Sequence, residues 1–415
     1  MDFATRALHA GMDSTRWGGA SVMPIMASAA FGANNAQQLE NLFAGRAPGH
    51  VYGRLTNPTV TALERRWASL EEGSRGNVAF STGMAGISAL FSTLVESGEE
   101  IISSSSLFGG TRAYFDHILS RSGVKVHYVS PDDPAILKQT ISKKTRALFL
   151  EALGNPRMDV PEISQWAKIA REASLPLVLD TTLVTPALIQ SRAWDVSITV
   201  QSGTKFLTGN GTVLSGSITD CGTYDWSTFP GSFLQQFVNR AGKDLALTVA
   251  LRQVARQNMG ASLSPFDAYI AMLGADTLDL RMTRHSQNAL ALALFLQKRT
   301  DVPQVSFVGL EQSPWHKRAH KYFQGRWGGL LTFRVGSKER AYQVLNHLHL
   351  ARIQTNLGDA RTLALHPAST IHRNQDAEEK KRSGVTEDLI RVSVGLESSK
   401  DIIADFENAL DEAKE

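Results

Sequence analysis

Apolar residues recur along this chain in two rhythms. Between Thr59 and Glu71 they fall at Leu63, Trp67 and Leu70, the spacing of one helix face. Met84, Ile87, Phe91 and Leu94 repeat that spacing over Met84–Leu94. Around these helices lie short apolar runs: Val78–Phe80, Ile101–Ser103, Val124–Val129, Leu148–Glu151, Leu177–Asp180 and Ile198–Gln201. Helical stretches separate them. Parallel strands need long crossover connections, so the alternation predicts an α/β fold with a mostly parallel sheet covered by helices. Ligands in such sheets bind beyond the carboxyl ends of the strands.

The pattern changes toward both ends. Residues 1–58 are rich in glycine and small side chains and show little periodicity. They read as an N-terminal arm, which lacks a core and must pack on something else, here a neighbouring subunit. Residues 59–258 read as a large cofactor-binding domain. Residues 259–415 read as a smaller α+β domain, with strands at Leu330–Val335 and Ile390–Val394 and helices at Ala341–Leu348 and Asp401–Ala413. Gly222–Gly242 is aromatic and aperiodic and reads as a surface excursion. Composition narrows the class further. A length of 415 residues is long for one core, and 42% hydrophobic with 20% charged residues is ordinary for a globular chain. A net charge of +3 argues against nucleic acid or a membrane surface as partner. One cysteine, Cys221, fits a reducing compartment, and no apolar run approaches membrane length. A cytoplasmic chain without a metal site is expected.

One lysine stands out. Asp195–Gly211 reads DVSITVQSGTKFLTGNG, with Lys205 just beyond an apolar strand and behind Ser202 and Thr204. A turn lysine is the plainer reading. A lysine in a protected pocket is also the usual covalent anchor for an aldehyde cofactor, and the two hydroxyls could hold its phosphate. Leu175–Asp180, LPLVLD, ends in a carboxylate 25 residues before Lys205, room for one strand and a connection. Asp180 could cap a turn. It could also pair with the pyridine nitrogen of pyridoxal 5'-phosphate. A carboxylate and a lysine at the ends of two strands can bracket a flat ring.

Nine motifs in order carry a resemblance: YGRLTNPT (Tyr52–Thr59), STGMAG (Ser81–Gly86), LFGGT (Leu107–Thr111), LEALGNP (Leu150–Pro156), LDTT (Leu179–Thr182), SGTKFLTGNG (Ser202–Gly211), GASLSPFDA (Gly260–Ala268), NLGDARTLALHPAST (Asn356–Thr370) and LIRVSVGLE (Leu389–Glu397). With them the chain resembles the pyridoxal-phosphate enzymes of cysteine and methionine metabolism from about Thr5 to Leu410. The resemblance implies the fold-type I architecture. It implies Lys205 as the catalytic residue and cofactor anchor, with Asp180 on the ring nitrogen. Gly83, Met84, Ser202 and Thr204 would meet the phosphate, Phe108 the ring face and Asn155 the ring oxygen. Tyr52 and Arg54 would reach the phosphate of a neighbouring subunit, in a dimer of dimers. Arg391 and Asn356 would hold the substrate α-carboxylate. Arg391 also stands out alone, because an unpaired charge inside an apolar strand is costly.

Three departures bear on the reaction. Phe108 stands where the family usually has tyrosine, Asn210 where relatives read histidine, and Gly110 where methionine γ-lyases carry cysteine. Arg361 occupies the position of a glutamate in cystathionine enzymes, which would disfavour an ammonium-bearing nucleophile. The NLGDARTL and HPAST runs resemble the acylhomoserine sulfhydrylase branch. The expectation is γ-replacement on an O-acylhomoserine, O-acetyl-L-homoserine first, by sulfide or a small thiol. A γ-lyase, a specialised γ-substitution with another nucleophile and a non-catalytic relative remain alternatives.

Overall fold

In the computed structural model, which describes residues 1–413, the chain builds two sheets. Seven strands form the larger: β1 Gly76–Phe80, β2 Glu100–Ser104, β3 Lys125–Val129, β4 Thr145–Glu151, β5 Leu177–Asp180, β6 Ile198–Ser202 and β7 Gly216–Asp220. Their spatial order is β1-β7-β6-β5-β4-β2-β3. All neighbours run parallel except β7, which is antiparallel to both β1 and β6. The architecture is the expected α/β one: a large, mostly parallel sheet flanked by helices and a second, smaller sheet. Ile101, Ile102, Phe149, Leu179 and Ile198 are fully buried, as strands covered on both faces require. Each such side chain contributes roughly 1.5–3 kcal/mol through burial.

Strand β7 has no apolar run to announce it. Ser217, Thr219 and Asp220 are buried, and the Asn77 amide on β1 donates to Ser217 Oγ at 2.6 Å and Thr219 Oγ1 at 2.8 Å. Partners supplied by the neighbouring strand make a polar strand affordable in the core. Gly222–Gly242 is not the expected surface excursion. It contains the helix Ser232–Ala241, and Trp226, Phe229, Leu234 and Phe237 pack into the core beneath β1 and β6. Its aromatic residues were anchors rather than exposed groups.

The smaller sheet has strands β8 Gln304–Ser306, β9 Leu330–Arg334, β10 Arg352–Ile353, β11 Leu363–Leu365 and β12 Leu389–Ser393, in the order β10-β11-β12-β9-β8. Its own core begins at Ala289 on the helix Leu278–Gln297, whereas Leu263, Met272 and Met282 pack with the larger core. The region read as the smaller domain ends with Lys414 and Glu415, which lie outside the described residues. At the other end, the helix Phe3–His9 lies on the helix Pro58–Leu70, where Arg66 donates to the carbonyls of Leu8 and Ala10 at 3.0 Å each. Beyond it Val22, Phe43 and Tyr52 remain 47%, 63% and 43% exposed. No helix of the described residues is long and apolar enough to cross a membrane, and no group of described side chains has the make-up of a metal site.

Candidate active site

The carboxyl ends of β4, β5 and β6 open into a pocket of about 300 Å³. Register sets its floor: Glu151 on β4 lies beside Asp180 on β5, and Asp180 beside Val200 on β6. Two residues later, Ser202 ends β6 with its N–H donated to Thr182 Oγ1 at 2.8 Å. The chain then turns, with Lys205 N–H bonded to Ser202 O at 3.2 Å and Gly209 N–H to Lys205 O at 2.8 Å. This delivers the Lys205 ammonium into the pocket, where it donates to Asn356 Oδ1 at 2.6 Å.

Electrostatics follow from burial. Desolvation, helped by the charge of Arg391, brings the Lys205 amine down to about 8. Burial pushes Asp180 up to about 6, against the Thr182 N–H that bonds its carboxylate at 2.8 Å. Burial and the neighbouring Asp180 hold Glu151 protonated well above the ordinary carboxyl range, and its Oε1 accepts the Phe108 N–H at 2.5 Å. Arg391, on β12, is buried and donates to the Thr355 and Asn356 carbonyls at 3.1 Å each. It has no carboxylate partner among the described residues, and burial lowers it to about 10.

The pocket gathers Gly83, Met84, Phe108, Asn155, Asp180, Ser202, Lys205 and Arg391. Asn356 reaches it through Lys205. Three expected residues stand apart. Thr204 exchanges hydrogen bonds with the Ser215 backbone at 3.0 and 3.3 Å and does not line the pocket. Tyr52 and Arg54 stack on one another at 5.4 Å away from it, and Arg54 donates to Gln257 O. Arg361 is also outside: its exposed side chain pairs with Asp359 at 3.1 Å and does not line the pocket. Asn210 bonds locally to Thr212. Glu151 is not among the expected site residues, yet it carries the same sequence signal as Asp180, a carboxylate closing an apolar strand. A wider groove of about 820 Å³, lined by Arg6, His50, Glu71 and Arg75 among others, lies on the arm side and contains none of these groups.

The pocket's donors and acceptors suit pyridoxal phosphate. Gly83 and Met84 open the helix Gly83–Leu94, so their N–H groups have no acceptor within the helix and point where an anion is favoured. A Cβ on Gly83 would lie 2.8 Å from that of Ser202, so only glycine lets the helix start approach the end of β6. Asn155 Oδ1 and Arg391 Nε are buried without a protein partner, which leaves hydrogen-bonding capacity for a ring substituent and a carboxylate.

Comparison with known proteins agrees with this geometry. The family model for Cys/Met metabolism PLP-dependent enzymes matches residues 4–411. The O-acetyl-L-homoserine sulfhydrylase of Corynebacterium glutamicum is 39% identical over 98% of this chain and 96% of its own length. The homocysteine synthase of Schizosaccharomyces pombe is 37% identical over 99% and 98%. A crystal structure from Campylobacter jejuni, provisionally assigned as an O-acetylhomoserine (thiol)-lyase, superposes with a TM-score of 0.89 at 30% identity over 99% of this chain and 100% of that one. It carries a pyridoxyl-lysine monophosphate at its position 205.

Proposed function

The chain belongs to the Cys/Met metabolism PLP-dependent enzyme family, and on that premise we propose that it is an O-acetylhomoserine sulfhydrylase. It is a pyridoxal-phosphate-dependent transferase acting on a small amino-acid substrate. Hydrosulfide replaces acetate at Cγ: the Cγ–O bond breaks, a Cγ–S bond forms, and homocysteine and acetate leave. The observation that carries this reading is the convergence of Lys205, Asp180 and Arg391 on one pocket whose remaining walls include Leu153, Leu183, Leu357 and Ile371.

Bound pyridoxal phosphate supplies an aldehyde and an electron-accepting ring. Asp180 would pair with a protonated ring nitrogen, while the N–H groups of Gly83 and Met84 and the Ser202 hydroxyl hold the phosphate. Phe108 would cover one ring face and Asn155 accept from the ring hydroxyl. Among the described residues Arg391 is the only guanidinium lining the pocket, and it would serve one carboxylate, the substrate's own. A nucleophile or acyl group with a second carboxylate finds no second cation, which favours sulfide over cysteine and acetyl over succinyl. The Lys205 amine, held near 8, is neutral often enough at neutral pH to take a proton from Cα and then from Cβ. Phe108 can donate no proton to the leaving group, and acetate needs little help to depart.

Lys205 and Arg391 are the only cations among the described residues lining the pocket, and the roles given to them leave none for the phosphate end. Tyr52 and Arg54 of a second copy would supply the guanidinium there, which makes the active unit a dimer, paired further into a tetramer. A cytoplasmic location goes with this metabolic role.

The test is to give the holoenzyme sulfide with O-acetyl-, O-succinyl- or O-phosphohomoserine and measure homocysteine. Homocysteine formed fastest from the acetyl ester is the expected result. Release of 2-oxobutanoate without homocysteine, or faster turnover of methionine or cystathionine, would contradict it.

A further inference from the structure

The helix Leu278–Gln297 is twenty residues long and buries three polar side chains on one face: Arg281, His285 and Asn288. Their spacing of four and three residues aligns them along the helix. Polar groups are costly in a core unless they are hydrogen-bonded, and here each reaches backbone carbonyls, Arg281 also donating from Nε to Thr277 Oγ1 at 3.1 Å. Arg281 donates to the carbonyls of Phe206 at 2.7 Å, Leu207 at 3.2 Å and Gly274 at 2.6 Å. His285 bonds Val394 O through Nδ1 at 2.7 Å and sets its ring edge-on to Phe206, 5.1 Å between centroids. Asn288 donates to the carbonyls of Gly395 at 3.0 Å and Glu397 at 2.8 Å.

Phe206 and Leu207 immediately follow Lys205. Val394 and Gly395 immediately follow β12, which carries Arg391. One rigid helix thus grips the backbone just beyond the cofactor lysine at one end of its polar stripe, and just beyond the carboxylate-binding strand at the other. His285 touches both. A carbonyl acceptor requires the proton on Nδ1, which leaves Nε2 an unpartnered acceptor in the core. Burial holds the ring neutral, down to about 4, so its donor is fixed across the working pH range. Arg281 has no ion-pair partner among the described residues and spends its charge on carbonyl dipoles. A Cβ on Gly209 would overlap its guanidinium, so the lysine turn is fitted around it.

We propose that Arg281, His285 and Asn288 are positioning residues that fix the Lys205 turn and the Arg391 strand in one frame, and so set where the substrate α-carbon meets the lysine amine. The proposal rests on the roles given above to Lys205 and Arg391. It splits the stripe by effect: the Asn288 end governs substrate carboxylate binding, and the Arg281 end governs the lysine.

The experiment uses holoenzyme variants Asn288→Ala, Arg281→Lys and the double variant. Asn288→Ala should raise KM for O-acetylhomoserine about tenfold with kcat within about twofold, the loss expected for hydrogen bonds that hold a binding group. Arg281→Lys should lower kcat and move the pH midpoint of the bound cofactor's visible absorbance, with KM little changed. The double variant should depart from the product of the two effects, because both ends share one helix. Should Arg281→Lys fail to fold, Asn288→Ser carries the test on KM. Parallel losses of kcat and thermal stability, with KM and the absorbance midpoint at wild-type values, would reduce the stripe to core packing and overturn the proposal. Borohydride reduction of each variant separates this from a failure of the underlying assignment, since label on a lysine other than Lys205 would sink the latter alone.

Discussion

The strand-end pocket and the N-terminal arm both carry residues proposed above to meet one cofactor, yet they use burial in opposite ways. In the pocket, Asp180, Lys205 and Arg391 come from β5, the turn after β6 and β12, and each bonds to or lies beside groups of the same chain. Burial there has a chemical product, an amine lowered to about 8 and a carboxyl raised to about 6. In the arm, Tyr52 and Arg54 are held by the Ala30–Tyr52 bridge and the Gln257 carbonyl, away from the pocket, and apolar side chains such as Phe43 face outward. A single chain brings together Lys205, Asp180 and Arg391, the groups proposed above as anchor, ring partner and carboxylate clamp. Among the described residues no guanidinium besides Arg391 lines that pocket.

The largest effect should come from the pocket. Lys205→Ala should lower turnover by at least about 10³-fold, because one group both anchors and moves protons. A loss under tenfold in purified protein would remove Lys205 from the chemistry. Arg54→Ala should also be nearly inactive, although Arg54 lies outside the pocket of its own chain. Mixing it with Lys205→Ala should restore roughly a quarter of wild-type sites by random pairing in a symmetric dimer. No recovery after subunit exchange, or a fully active monomer by light scattering, would break the comparison between the two regions.

Phe108→Tyr should act on leaving groups. A phenol there should help methionine by up to roughly 10²-fold and O-acetylhomoserine hardly at all, since general acid catalysis favours the poorer leaving group. An unchanged ratio of the two rates would show that the ring position does not decide specificity. The smallest effect on turnover belongs to the arm side, where Glu71 lies buried against Ser191 and is raised to about 7. A carboxyl raised on folding stabilises fully below its unfolded value near 4.5, and that contribution is lost as pH rises through about 7. Its size is up to about 3 kcal/mol. Glu71→Gln should leave kcat unchanged and flatten the decline of thermal stability between pH 5 and pH 8, read as a Tm series. A series parallel to wild type would show that Glu71 ionises freely.

Much of this was legible because the signals are local. An apolar strand that ends in a carboxylate or is followed by a lysine can be read without knowing its neighbours, which is how Asp180 and Lys205 emerged. Strand β7 could not be read that way, because the partners of Ser217 and Thr219 come from Asn77, far away in the chain. The same holds for the helix Leu278–Gln297. Arg281, His285 and Asn288 interrupt its apolar face, and only the fold reveals that each has a carbonyl to meet. Arg361 illustrates the converse: a motif position suggested a pocket residue, and its pairing with Asp359 turned it away. The deciding partners lie far along the chain, as Phe206 does from Arg281 and Val394 from His285, or only two residues off, as Asp359 does from Arg361, and periodicity registers neither.

The account stands on Lys205 as the covalent anchor. Reduction of the holoenzyme with borohydride, digestion and mass mapping of the pyridoxyl-bearing peptide test this directly. The label should fall on Lys205, within the run that follows Ser202. Label on any other lysine, or none in protein that retains full activity, would contradict it.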